Sequence, residues 1–182
     1  MITLLKDLYA QFDLLYSDIL FTCKGCSDHD CEGYIWLMPE ESDILAEKDI
    51  SVVVLNGNCN LINPFEESSL TPTDFERMRP KCRLRYAGLC SIYSSRPLVC
   101  RMYPVGLTSQ DGNATFVLFK DCKFVRDMTI DQKIKFTNRA IAILSDCSQK
   151  LYDEIVETYL NMDVLSKYPD GANKYEVLNA NR

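Results

Sequence analysis

Leu4, Leu5, Leu8, Phe12, Leu15 and Ile19 recur at intervals that keep one side of a helix apolar, so residues 3–20 are predicted to form an amphipathic helix. Pro39 followed by EESDILAEKD predicts a second, short helix. Proline suits a helical first turn, and acidic side chains favour the positive end of the helix dipole. The pattern then changes period. SVVVLNGNCNLI offers two β-prone runs around Asn56-Gly57, a pair that readily makes a two-residue hairpin turn. TPTDFERM reads as a short helix with Thr71 or Thr73 as its cap and Pro80 just past its end. VGLTSQDGNATFVLF predicts a second hairpin, turning near Asp111-Gly112. From Thr129 the period is helical again, opened by a capping box with Gln132. Ile130, Ile134, Ile141, Leu144, Leu151, Ile155 and Tyr159 supply a long apolar stripe, broken near Asp146 to Gln149. The tail after Pro169 is polar and expected to be loose.

These elements predict an α+β fold in a single small domain spanning 1–182, with helices at both termini around an irregular cysteine-rich centre with short hairpins. The cysteine core is expected over about 21–125, a helical segment over about 129–167, and the tail over 169–182. No repeat and no low-complexity tract interrupts this order. A length of 182 residues suffices for a sizeable core. The net charge of −6 leaves no excess of Lys and Arg to neutralise phosphates, which argues against general nucleic-acid binding. Lys6, Asp7, Asp13 and Asp18 interrupt the apolar N-terminal run, which has neither a basic leader nor a small-residue cleavage site. No stretch reaches the roughly 18 apolar residues of a membrane span. No membrane span and a cytoplasmic location are therefore expected.

Nine cysteines change the picture. A reducing compartment keeps thiols unpaired, so a dense set there points to metal binding or catalysis rather than cross-linking. TCKGCSDHDCEG places Cys23, Cys26 and Cys31 in one polar loop, and the Cys-x-x-Cys step turns two sulfurs toward one point. Cys82, Cys90, Cys100 and Cys122 follow at intervals of eight, ten and twenty-two residues, a spacing that matches no simple zinc ribbon. Thiolate-rich sites select zinc or an iron–sulfur cluster, and both accept four thiolates. Such a site carries a formal charge of about −2, and ERMRPKCRLR sets Arg77, Arg79, Lys81, Arg83 and Arg85 around Cys82. Those five read equally well as a solvated basic face.

The segment CSIYSSRPLVCRMYP is the most unusual in the chain. Arg96 and Arg101 bracket it between Cys90 and Cys100, and Pro97 and Pro104 restrict its backbone. It reads as a rigid ligand-bearing loop, in which the guanidinium groups hydrogen-bond loop carbonyls or sulfurs.

The order CKGCSDHDC, a Pro-Glu-Glu helix start, C-x7-CSIYSSRPLVCRMYP and a late KDC resembles the YkgJ-like CxxCxxCC cysteine-cluster family, described as zinc- or iron-chelating domain proteins. The resemblance runs from about Cys23 to Cys122. It implies Cys23, Cys26, Cys31, Cys82, Cys90, Cys100 and Cys122 as the metal-binding set; Arg96, Arg101, Tyr93 and Tyr103, read from the residues beside the cysteines, are expected to surround it. The family ends its first cluster with adjacent cysteines, whereas here SDHDC carries one. Either a ligand is lost, or His29, the single histidine, or an aspartate replaces it. Seven cysteines exceed one tetrahedral set and fall short of two. Cys59, in a hairpin strand, and Cys147, on the apolar face of the last helix, lie outside the pattern and read as small core residues.

Three functions follow as expectations. The first is an intracellular metal-binding protein with a structural or redox-active zinc or iron–sulfur centre. The second is a metal-dependent protein-modifying enzyme, since the family resemblance extends to the cysteine-rich flagellin lysine methylases; Tyr93 and Tyr103 would be its polar groups, and a protein its substrate or partner. The third is a thiol redox sensor in which Cys23 and Cys26 form a reversible disulfide. No phosphate-binding glycine loop, HExxH helix or dinucleotide fingerprint is present in the sequence.

Overall fold

Residues 1–17, 35–55, 59–62, 82–86, 89–110, 112–161 and 175–178 are described by the structure, a computed structural model. In chain order its elements are α1 (Leu5–Leu15), α2 (Pro39–Ala46), the hairpin strands β1 (Val52–Leu55) and β2 (Cys59–Ile62), and the short strands β3 (Arg85–Tyr86) and β4 (Leu89–Cys90). A 3-10 turn at Tyr93–Ser95 leads to α3 (Leu98–Met102), β5 (Val105–Gln110) and β6 (Asn113–Phe119). Then come α4 (Lys123–Asp127), α5 (Ile130–Asp146), α6 (Gln149–Asn161) and β7 (Tyr175–Val177). The fold is α+β, as the sequence pattern implies.

Leu5, Leu8, Phe12 and Leu15 form the buried face of α1, three or four residues apart as a single helical stripe requires. This face meets α5 and α3. An aromatic chain ties the contact together: Phe12 stacks on Tyr16 at 6.0 Å between ring centres, Tyr16 meets Phe136 at 5.6 Å, and Phe124 meets Phe136 edge-on. The other side of the core is a three-stranded antiparallel sheet ordered β5-β6-β7, with Val105 opposite Leu118 and Val117 opposite Val177. Val105, Leu107, Phe116 and Leu118 join the same core from the sheet. Leu151, Ile155 and Tyr159 reach it from α6.

The Thr129 capping box forms as expected: its hydroxyl accepts from Gln132 N, and the Gln132 carboxamide accepts from Thr129 N at 2.8 Å. The expected stripe along α5 does not hold at its start. Ile130 and Ile134 are exposed, and the buried face is Phe136, Ala140 and Leu144. Two residues span about 200° of an α-helix, so Ile134 and Phe136 point to opposite sides. The helix breaks after Asp146, as the sequence suggests. Ile2 enters the break, donating to Asp146 O and accepting from Ser148 N, each at 2.7 Å. Cys147 is buried at this joint, bridged to Ile2, rather than on the face of the last helix. The tail also departs from expectation. Tyr175–Val177 pair with β6 because an alternating Tyr-Glu-Val run can complete the open edge of that strand.

A second, smaller core of Leu37, Leu45 and Ile62 lies between α2 and the β1–β2 hairpin, with Ile35, Leu84 and Ile92 packed against it. Leu55 pairs with Cys59, so three residues separate the strands where a two-residue turn at Asn56-Gly57 is expected, and those three lie outside the described residues. The expected helix over TPTDFERM also lies outside them. Among the described residues, no helix is long and apolar enough to cross a membrane.

Gly106 shows how tightly β5 meets its neighbour. A Cβ there would come within 2.4 Å of the Phe119 ring, which is stacked on Tyr103 at 5.9 Å. Gly106→Ala is expected to destabilise the chain by about 1–3 kcal/mol through overpacking. Urea unfolding reads this directly, and adding Phe119→Leu should restore part of the loss.

Candidate metal centre

Cys82 begins a tight turn that feeds the two-residue strands β3 and β4. Arg85 N donates to Cys82 O at 3.1 Å, Arg85 pairs with Cys90 across β3 and β4, and Ser91 N closes on Leu84 O at 2.8 Å. The turn gives the Cys82 sulfur two backbone donors, the N–H groups of Leu84 and Arg85, and brings Cys90 near enough to act on it. Burial pushes the Cys82 thiol above its usual range and the neighbouring Cys90 adds to this, while the two N–H groups and the Arg85 charge oppose it. Of the basic residues around Cys82, Arg85 therefore acts on the sulfur. Arg83 is solvent-exposed, and Arg77, Arg79 and Lys81 lie outside the described residues.

The Arg-Pro loop is held from within. Arg101 is buried on α3, where its Nε donates to Arg96 O at 2.8 Å and its guanidinium donates to Ser94 O at 2.7 Å. Its remaining edge meets Asp13 of α1, which also receives Arg96 at 3.0 Å. One carboxylate thus bridges both arginines of the motif. The Arg101 guanidinium lies over the Tyr9 ring at 4.4 Å, and that of Arg96 over Tyr93 at 4.1 Å. The expected contacts to loop carbonyls are present, and the charge partner in the described residues is Asp13. Arg96 Nε is buried and finds no acceptor among the described residues.

Among the described residues, Glu41 is the other buried acidic or basic side chain, and the sequence did not single it out. Its carboxylate accepts from Met38 N at 2.8 Å, from Leu98 N at 2.6 Å and from the Tyr9 hydroxyl. It therefore ties α1, α2 and the start of α3 at one point. Burial raises the Glu41 carboxyl above the usual carboxylate range, although all three hydrogen bonds and Arg101 oppose the shift. Burial and the facing carboxylate push Tyr9 well above the tyrosine range, so it stays a donor. Tyr16 closes the frame by donating to Met102 O at the end of α3. Asp13 and Glu41 left two traces in the sequence. Glu41 precedes the buried Leu45 by one helical turn, and Arg96 and Arg101 have no acidic residue within their own segment.

The remaining cysteines are spread around this frame. Cys100 lies half-buried in the middle of α3, with Leu98 and Met102 packed inward beside it. Cys122 is buried at the start of α4 and, like Arg96, lies near the Tyr16 hydroxyl. Tyr103 packs on the sheet against Phe119 and Tyr93 lies under Arg96, which gives both tyrosines packing partners. Cys23, Cys26, Cys31 and His29 lie outside the described residues, and of Cys59 the strand position alone is described. Among the described residues, no three His, Cys, Asp or Glu side chains converge as a metal site. The described cysteines outside β2 stand as thiols. Compared with protein-family models, with curated proteins and with solved structures, the chain matches none.

Proposed function

We propose that this chain is a thiolate metal-binding protein, holding zinc or an iron–sulfur cluster through its cysteine set. The observation that carries the reading is the Cys82 turn. Two backbone N–H groups and the Arg85 charge favour the Cys82 thiolate, although burial and the nearby Cys90 outweigh them and leave the thiol raised. Burial works against ionisation while no cation is present, and a metal ion between the two sulfurs would reverse that balance. Arg85 beside Cys82 and the spare buried N–H of Arg96 suit the surroundings of a site with net negative charge.

Cys82 and Cys90 would supply two thiolates. The rest would come from Cys23, Cys26, Cys31, Cys100 and Cys122, with His29 as the candidate replacement for the missing cysteine of the first cluster. The cysteine order, with its resemblance to the YkgJ-like family, supports the same reading. The metal would supply cross-linking of the loops or, as a cluster, electron transfer. A site of reduced thiolates requires a reducing compartment, which favours the cytoplasm.

Protein purified without oxygen is expected to contain zinc, or iron with acid-labile sulfide and a brown absorbance, in a fixed ratio to chain. Cys82→Ser and Cys90→Ser should each lower that ratio, and chelation should lower the melting temperature of the wild type. Metal-free protein that melts no lower than the purified form, with both variants unchanged in metal content, would overturn the reading.

A further inference from the structure

We infer that Glu41 is a positioning residue for the Cys100 thiol, acting through the backbone at the start of α3. The inference rests in part on the proposed metal site, because Cys100 belongs to its ligand set.

The geometry is local and specific. Cys100 lies two residues beyond Leu98, the first residue of a helix of only five residues. Two residues correspond to about 3 Å of helical rise, so a displacement at Leu98 reaches Cys100 almost undiminished. A helix this short gains little stability from its own hydrogen bonds, and its place must be set by its neighbours. At its start that neighbour is Glu41, whose Oε1 accepts from Leu98 N at 2.6 Å and also from the Tyr9 hydroxyl. Oε2 is occupied by Met38 N at 2.8 Å, which fixes the carboxylate plane against its own helix. One residue past Cys100, Arg101 binds Asp13 on α1 and the carbonyls of Ser94 and Arg96. The thiol is thus carried between two anchored backbone points, both tied to α1 through Tyr9 and Asp13. Glu41 is buried although burial disfavours its charged form, a cost that a solvated capping residue would not incur.

The test uses Glu41→Gln in the full chain, beside Val117→Ala, a buried residue of β6 that belongs neither to this frame nor to the Cys147 joint. In Glu41→Gln one oxygen becomes an NH2 group that cannot accept from Leu98 N or Met38 N. The first readout needs no metal: the rate of Cys100 alkylation by iodoacetamide in metal-free protein, mapped by mass spectrometry with buried Cys147 as internal reference. The second is cobalt(II) titration, following thiolate-to-cobalt absorbance. Glu41→Gln is expected to raise the Cys100 rate several-fold over Cys147 and to weaken cobalt binding by roughly 10-fold or more, in the range seen when groups supporting a metal ligand are removed. Val117→Ala should change neither, and Tyr9→Phe should give a smaller change of the same sign. Unchanged Cys100 reactivity and unchanged cobalt binding in folded Glu41→Gln would overturn the inference and leave the metal reading intact. Altered Cys100 reactivity in a protein that binds no cobalt, zinc or iron would support the positioning role and remove the metal reading.

Discussion

Arg101→Ala is expected to lower the stability of the chain by about 3 kcal/mol, more than any other single change in the Arg-Pro loop. The estimate comes from its hydrogen bonds, because a charged donor to a buried acceptor is worth about 1.5–3 kcal/mol. Arg101 makes two such bonds, to Ser94 O and Arg96 O, from a buried position. The ion pair adds little to this total. Asp13 is half-exposed, keeps Arg96 as a partner in the variant, and is screened by solvent. Loss of the guanidinium from the Tyr9 ring adds to the cost. For a domain of this size about 3 kcal/mol corresponds to a fall of roughly 6–12 °C in melting temperature. Arg101→Lys separates shape from charge. A lysine keeps the cation but cannot donate to Ser94 O, Arg96 O and Asp13 together. Recovery of less than half the lost stability by lysine is the expected result. Full recovery would show that charge alone holds the loop.

The residues that defeat the sequence reading have a common physical character. The Leu5, Leu8, Phe12 and Leu15 stripe was legible because a helix imposes its period on whichever face is buried. Both long hairpins were legible as β-prone runs flanking turn-forming residues, although three residues rather than the expected two separate Leu55 from Cys59, and the Thr129 cap was legible as local chemistry. Ile130 and Ile134 misled because an apolar residue at helical spacing does not say where its helix leaves the core. β7 was missed because a three-residue strand is defined by the edge it joins, far away in sequence. The loop CSIYSSRPLVCRMYP was legible as a rigid element held by its arginines. Its dependence on α1 was not, since Asp13 and Tyr9 lie more than eighty residues away in the chain. The same holds for the thiols. Sequence order names the cysteines, but the turn at Cys82 and the register that sets Arg85 opposite Cys90 bring Cys90 near the Cys82 sulfur.

Glu41→Ala is expected to cost about 4 kcal/mol, a large share of the 5–15 kcal/mol that holds a typical domain folded. It removes the acceptor for Met38 N, Leu98 N and the Tyr9 hydroxyl, and each buried donor left unpaired costs about 1–3 kcal/mol. Relief of the buried charge offsets part of the sum, and pH reveals how much. Burial holds the Glu41 carboxyl above its ordinary value of 4.5. Below that value folded and unfolded chains both carry the proton, and the contribution from protonated Glu41 is fully present. As the pH rises, the unfolded chain ionises first. That contribution is then lost until the pH has passed the raised folded value. Glu41→Gln cannot ionise, so the stability difference between wild type and Glu41→Gln isolates this one group. The wild-type advantage should shrink as the pH is taken from about 4 to about 7, as measured by urea unfolding at each pH. An advantage that grows over the same range would mean that the three donors, with Arg101, outweigh burial and hold Glu41 as a carboxylate. α3 would then be fastened by a buried ion rather than by a carboxyl that gives up stability on losing its proton.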